Sequence, residues 1–202
     1  MNFLKKLWQC LFVWKMPMLS RDELADVDAI VTQAISRSKN GEPGVGNEIL
    51  AITVRHLHYQ YPSKPIIPQE EVWLAINSQE ATWTDEQRKT IPVFSVAHVP
   101  EGEPWDHSTP TWNTESVARF QAEICKKNGW KKVAVVATPA HHWRCMMVYK
   151  KLGLEPVIAQ VNPCIGTYSH PEAAYWSARG GAWRQVAREF LCRLYFLFTG
   201  RL

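Results

Sequence analysis

NTESVARFQAEICKKNGWKKVAVVATPAHHWR, residues 113–144, is the stretch whose reading decides the fold. Asn113-Thr114 opens an apolar-periodic run and Asn128-Gly129 closes it, the pattern of a capped helix with a glycine stop. Lys132 to Thr138 (KVAVVAT) follows, short, rich in valine and almost wholly apolar. Such a run between helical patterns predicts a parallel strand buried on both faces. His141, His142 and Arg144 come directly after it, where parallel α/β sheets bind their ligands.

The same alternation extends both ways. Toward the N-terminus, Ser20 and Glu23 form a capping box for a short helix near residue 21. Val27–Ile35 reads as a first strand, and the polar stretch Ser36–Gly46 as a loop. Asn47 caps a helix bearing Ile49, Leu50, Val54 and Leu57 that Pro62 ends. Lys64–Pro68 is a short second strand, a helix runs from about Glu70 to Ser78, and Ile91–His98 is a third strand. The loop Val99–Trp112 exceeds the usual connection length, which marks it as functional or mobile. Toward the C-terminus, a helix over His142–Leu152 stops at Gly153, and Leu154–Val161 is a fifth strand. Helices over Pro171–Arg179 and Ala182–Thr199 close the chain. No tight hairpin turn is evident, so the pattern predicts βαβ units: a Rossmann-like three-layer αβα fold with a mostly parallel sheet of about five strands.

The 202 residues are enough for one domain with a real core. The expected organisation is a basic, apolar N-terminal segment over residues 1–20, then a single α/β domain over 21–202 that includes a C-terminal amphipathic helix. Residues 1–20 carry three lysines and no acid, net +3, and residues 179–202 carry five arginines against Glu189, net +4, so the total of +4 leaves the middle net −3. That total does not point to nucleic acid. Both ends are also rich in large apolar residues, yet charged and polar residues interrupt each run before the ~20 residues that a bilayer span requires. No signal-peptide cleavage pattern follows the N-terminal run. Two readings stay open for the ends: packing on each other and on the sheet, or a basic amphipathic surface on an anionic membrane.

Five scattered cysteines without a C-x-x-C favour a reducing compartment. Cys125, Cys145 and Cys192 sit in apolar helical patterns and read as buried thiols. Of the ten tryptophans, Trp83, Trp105 and Trp112 flank loop-like stretches, where they either pack or line a pocket.

In a doubly wound sheet the loops after the strands converge on one crevice. That rule gathers Thr32 and Gln33 from the first strand, Asn47 from the helix after it, Gln69 and Glu70 from the second strand, and His98 from the third. It adds Asn113, Thr114 and Glu115 from a helix start, and Thr138, His141, His142 and Arg144 from the fourth strand and its loop. His141 and Arg144 are three apart and can share a helix face. A guanidinium fork suits a phosphate or carboxylate, and an imidazole can exchange a proton, so these two are the catalytic candidates and the others ligand-binding candidates. The structural alternative has one histidine capping the helix and Arg144 paired with Glu115. Gly44-x-Gly46 lacks the dinucleotide spacing. No metal site is expected: His141 and His142 are adjacent, His56 and His58 diverge on a helix, and H-E-x-x-H is absent. There is no G-x-S-x-G elbow.

The run Asn113-Thr114-Glu115-Ser116-Val117-Ala118, then KKVAVVAT, His141-x-x-Arg144 and Gly153, resembles the bacterial YdcF/SanA/ElyC-like domain family, as does the tail from Trp176 through Arg188-Glu189-Phe190 and Arg193-Leu194-Tyr195 to Gly200. The resemblance spans roughly residues 27–200. The family's acidic position falls on Ser116, with Glu115 one place earlier, and Thr32-Gln33-Ala34 stands where the family has a glycine-rich strand end. The resemblance implies the Rossmann-like fold, a link to cell-envelope metabolism, S-adenosylmethionine as a cofactor candidate, and Asn113, Thr114, Glu115, His141 and Arg144 as the site.

Two functions follow as expectations. One is a small anionic or nucleotide-like ligand bound at the C-terminal edge of the sheet, with or without chemistry on it. The other is a membrane-surface interaction or scaffold protein without catalysis. Either places the chain in the cytoplasm, free or peripheral at the inner face of the membrane.

Overall fold

In a computed structural model of the chain, residues 3–12, 21–34, 45–77, 114–138, 141–159 and 181–199 are described. Their centre is a four-stranded parallel sheet in the order β2-β1-β3-β4, built from β1 (Ala29–Thr32), β2 (Ile66–Ile67), β3 (Lys132–Val136) and β4 (Glu155–Ile158). The described strands number four rather than about five, because the third strand candidate, Ile91–His98, lies outside the described residues. The helices are α1 (Phe3–Phe12), α2 (Arg21–Ala25), α3 (Val45–Gln60), α4 (Glu70–Asn77), α5 (Thr114–Lys127), α6 (His142–Lys151) and α7 (Gly181–Phe198). The helix candidate over Pro171–Arg179, the long loop, and Trp83, Trp105 and Trp112 also lie outside the described residues.

Strand alternation divides the core into two layers. Ala29, Val31, Val133 and Val135 point to one face, where they meet α5, α6 and part of α7 through Ala118, Cys125, Trp143, Tyr149 and Phe196. Ile30, Ala134 and Val136 point to the other, against α3 and α4 through Leu50, Val54, Val72 and Ile76. A strand with no solvent face needs apolar residues at successive positions, which is why KVAVV reads as one run. The three-layer α/β architecture is therefore as the sequence predicts.

Local chemistry sets the register and the helix ends. Asp28 accepts hydrogen bonds from the backbone N–H of Lys131 and Lys132 at 2.7 and 2.9 Å, pinning the start of β1 to the start of β3. Gly129 and Gly153 adopt φ of +73° and +83°. Each closes its helix with the paired backbone bonds of a Schellman motif, Trp130 N–H to Cys125 O with Gly129 N–H to Lys126 O, and Leu154 N–H to Tyr149 O with Gly153 N–H to Lys150 O. Lysines at 126, 127, 150 and 151 occupy the last turns, where cations favour the negative end of the helix dipole.

The central pair β1 and β3 is the switch point of the sheet. The chain leaves β1 for α3 on one face and β3 for α6 on the other, so a crevice opens between their carboxyl ends. At the opposite side of the α5–α6 layer, α1 packs against α7, and Leu7 reaches the core. Of the thiols, Cys125 and Cys145 are buried, whereas Cys192 is only half-buried, because it sits at the flank of α7 rather than on its inward face.

Candidate functional site

Helices that return antiparallel to the strands bring their N-termini to the carboxyl edge of the sheet. Thr114 opens α5 and His141 precedes α6, so the two helix starts meet there. The Thr138 carbonyl accepts from the N–H of His141 and His142 at 2.8 and 3.1 Å, turning the chain from strand into helix. His142 completes the turn with its buried ring: Nε2–H donates to the Ala137 carbonyl at 2.7 Å, and burial lowers its pKa.

Arg144 lies at the middle of the cluster with its side chain 12% exposed. Its Nη1 donates to Thr114 Oγ1 at 2.6 Å, and its Nη2 lies 2.7 Å from His141 Nδ1. The opposite edge of the guanidinium grips Glu189 of α7, Nε to Oε1 at 3.2 Å and Nη2 to Oε2 at 2.9 Å. Arg193 Nε donates to the same Oε1 at 3.2 Å. The two guanidinium groups also stack across the α6–α7 seam, Arg144 on Phe196 at 5.3 Å and Arg193 on Trp143 at 4.9 Å from the ring centroids.

The protonation states follow from these contacts. Burial first, and then the Arg144 charge, lower the His141 pKa to about 4, so its ring is neutral at pH 7. An arginine N–H pointing at Nδ1 requires a lone pair there, which puts the ring proton on Nε2, 3.2 Å from Thr114 Oγ1. Burial raises the Glu189 carboxyl, but the charge and hydrogen bonds of Arg144 oppose that and hold it below the usual carboxylate range. With His141 neutral, the Arg144 guanidinium is the dominant stabiliser of the carboxylate.

The structure thus brings Thr114, His141 and Arg144 together and separates other candidates from them. Glu115 pairs with Arg119 at 2.7 Å, one turn along its own helix, so the sequence alternative of an Arg144–Glu115 pair is corrected to Arg144–Glu189. The alternative of a capping histidine is corrected too: His141 occupies the N-cap position with helical backbone angles and no side-chain cap bond. Asn113 lies outside the described residues, and Asn47 is buried in the first turn of α3.

Thr32, Gln33 and Gln69 serve the sheet edge itself. Thr32 Oγ1 accepts from Gln69 N–H at 2.9 Å, and Gln69 Oε1 accepts from Ala34 N–H at 2.8 Å. Gln33 Nε2 donates to Tyr149 Oη at 2.9 Å, Tyr149 donates to Gln121 Oε1, and Gln121 Nε2 donates to the carbonyls of Thr32 and Ile67 at 2.9 and 2.8 Å. This buried amide–phenol network ties α5 and α6 to the ends of β1 and β2.

Sequence reasoning missed Glu189, Arg193, Phe196, Gln121 and Tyr149 as members of this edge. One signal was present for the first two: an acid and an arginine at i and i+4 in a helix otherwise dominated by apolar residues. Comparison of the chain with protein-family models, curated proteins and solved structures finds no match.

Proposed function

We propose that the chain is a YdcF/SanA/ElyC-like α/β protein that binds a small anionic or nucleotide-like ligand at the carboxyl edge of its sheet, in cell-envelope metabolism. The observation that carries this reading is the Arg144 Nη1–Thr114 Oγ1 bond of 2.6 Å at the start of α5, beside the start of α6. A cation held where two helix N-termini converge favours negative charge for two reasons: the guanidinium and the two helix dipoles. Glu189 occupies the Nε–Nη2 edge, so the Nη1–Thr114 edge and the His141 ring are the side a ligand meets.

His141 at a pKa of about 4 is a weak base at neutral pH, so the cluster as it stands favours binding over proton abstraction. An anion beside the ring would raise that pKa and make His141 a proton donor to the ligand. S-adenosylmethionine fits the residues present in kind: its carboxylate suits Arg144, and Glu70, which opens α4 directly after β2, supplies the acid at the edge where such sheets hold a ribose. When bound it would supply an activated methyl group.

Titration calorimetry with S-adenosylmethionine, nucleoside diphosphates and sugar phosphates tests the reading. Binding of one class is expected, weakened about tenfold or more by Arg144→Met and by Thr114→Val through loss of a charge-assisted contact. Retained folding is checked by circular dichroism. Affinity unchanged in both variants would remove these residues from the role.

A further inference from the structure

The last described helix, α7, buries a mixed face, Glu189 and Arg193 beside Phe196 and Leu197. On α7 the charged residues Glu189 and Arg193 face inward, 6% and 0% exposed, whereas Leu191, Tyr195 and Phe198 face outward, 65%, 52% and 70% exposed. Positions 191, 195 and 198 are spaced by four and three residues, so they form one continuous row opposite the buried face. The neighbouring helix α1 repeats the pattern. Leu7 turns to the core while Leu4, Trp8 and Phe12, spaced by four, are 73%, 60% and 65% exposed. The Trp8 and Phe12 rings lie 5.8 Å apart, and α1 rests on α7. Two adjoining helices therefore turn rows of large apolar side chains away from the body. Exposed apolar area of that extent marks an interaction surface.

Charge and length select the occupant. The segments that carry these rows are net +3 over residues 1–20 and net +4 over residues 179–202, while the rest of the chain is net −3. A second copy docked through the same two segments would bring stretches of like net charge together, which is unfavourable. An anionic lipid surface attracts them, and tryptophan and tyrosine favour the headgroup level. Among the described residues no helix is long and apolar enough to cross a membrane, so the geometry of contact is a helix lying in the interface plane.

We propose that α1 and α7 together form a docking face for an anionic lipid bilayer, with Leu4, Trp8, Phe12, Leu191, Tyr195 and Phe198 entering the headgroup–acyl boundary. The proposal is independent of the ligand site, since it needs none of Thr114, His141 or Arg144. It adds a geometric consequence: α7 touches the bilayer with one face and holds Arg144 through Glu189 with the other.

The test is co-sedimentation of the full chain with vesicles of phosphatidylcholine alone and with roughly one-third phosphatidylglycerol added to supply negative surface potential. Binding to the anionic vesicles is expected, with weakening at high salt because the charge component is screened. Trp8→Gln/Phe12→Gln and Leu191→Gln/Phe198→Gln should each lower the partition coefficient about tenfold or more, as apolar insertion is lost. All four positions are exposed and the pairs lie on separate helices, so either pair decides alone. No sedimentation of the intact chain with anionic vesicles would overturn the proposal. So would sedimentation of either double variant equal to that of the unmodified chain. Self-association in analytical ultracentrifugation that these variants abolish, without vesicle binding, would assign the face to a second copy instead.

Discussion

Replacing Glu189 with glutamine changes shape least and electrostatics most. The carboxylate is 6% exposed and accepts from Arg144 at 3.2 and 2.9 Å and from Arg193 at 3.2 Å. Glutamine keeps one carbonyl oxygen, removes the negative charge, and puts an NH2 donor where guanidinium N–H groups already point. Removing one partner of a buried ion pair costs about 3–5 kcal/mol, because the remaining charge keeps its desolvation penalty. One acceptor survives and Arg144 retains 12% side-chain exposure, so the expected loss is at the lower end, about 3 kcal/mol. Domains of this size have about 5–15 kcal/mol in total, so the change is easily read in a urea titration followed by circular dichroism, as a lower midpoint at unchanged slope. Arg144→Met should also destabilise. The double variant Arg144→Met/Glu189→Gln should lose less than the sum of the singles, by about 1–3 kcal/mol. A single-variant loss below about 1 kcal/mol, or strict additivity, would refute the reasoning and reduce the pair to the worth of a surface contact.

Acid should destabilise the protein earlier than carboxylate titration alone would. Burial first, then Arg144, lower the His141 pKa from 6.5 to about 4, so the unfolded chain binds the extra proton across that interval. This part of the stability is complete above pH 6.5 and is lost as pH falls toward 4, at up to about 1.4 kcal/mol per pH unit. Urea midpoints at pH 7 and pH 5 should therefore differ less in His141→Asn than in the wild type; equal differences would contradict the neutral ring. Tyr149→Phe strips Gln33 and Gln121 of a buried partner and should cost about 1–3 kcal/mol by the same titration. Gly129→Ala meets no atom within 4 Å of the new Cβ but must hold φ near +73°, so its penalty is backbone strain alone, about 1 kcal/mol. A loss several times larger would mean that the Schellman turn itself had rearranged.

The fold was legible because its signals are local. The KVAVV run, the Asn-Gly and Gly153 stops and the Glu70 helix start each declare themselves within a few residues, and all stand within two residues of their expected places. Boundaries drifted where a tertiary contact decided them. The Val27–Ile35 run narrowed to Ala29–Thr32: the Asp28 side chain turns to cap the start of β3, and Gln33 closes the pairing, its N–H on the Val136 carbonyl and its side chain on Gln121 and Tyr149. The α3 helix starts at Val45, before the Asn47 taken as its cap, and Asn47 is buried instead.

The site was legible only on one side, and the reason is separation along the chain. Thr114, His141 and Arg144 belong to neighbouring βα units, whose geometry the switch-point rule supplies. Glu189 lies 45 residues beyond Arg144, on a helix where the Glu189–Arg193 spacing marks a pair but not the partner it meets. Periodicity gives the angle between Glu189 and Leu191 but not which of them faces the body. The usual rule would send the charges outward and the leucine in. Here Glu189 and Arg193 turn inward beside the core residues Phe196 and Leu197, because Arg144 already sits inward and needs a carboxylate. Once Glu189 and Arg193 turn toward α6, the opposite face of α7 is bound to show Leu191, Tyr195 and Phe198 to the outside. The buried ion pair and the exposed apolar row are thus two consequences of one helix rotation.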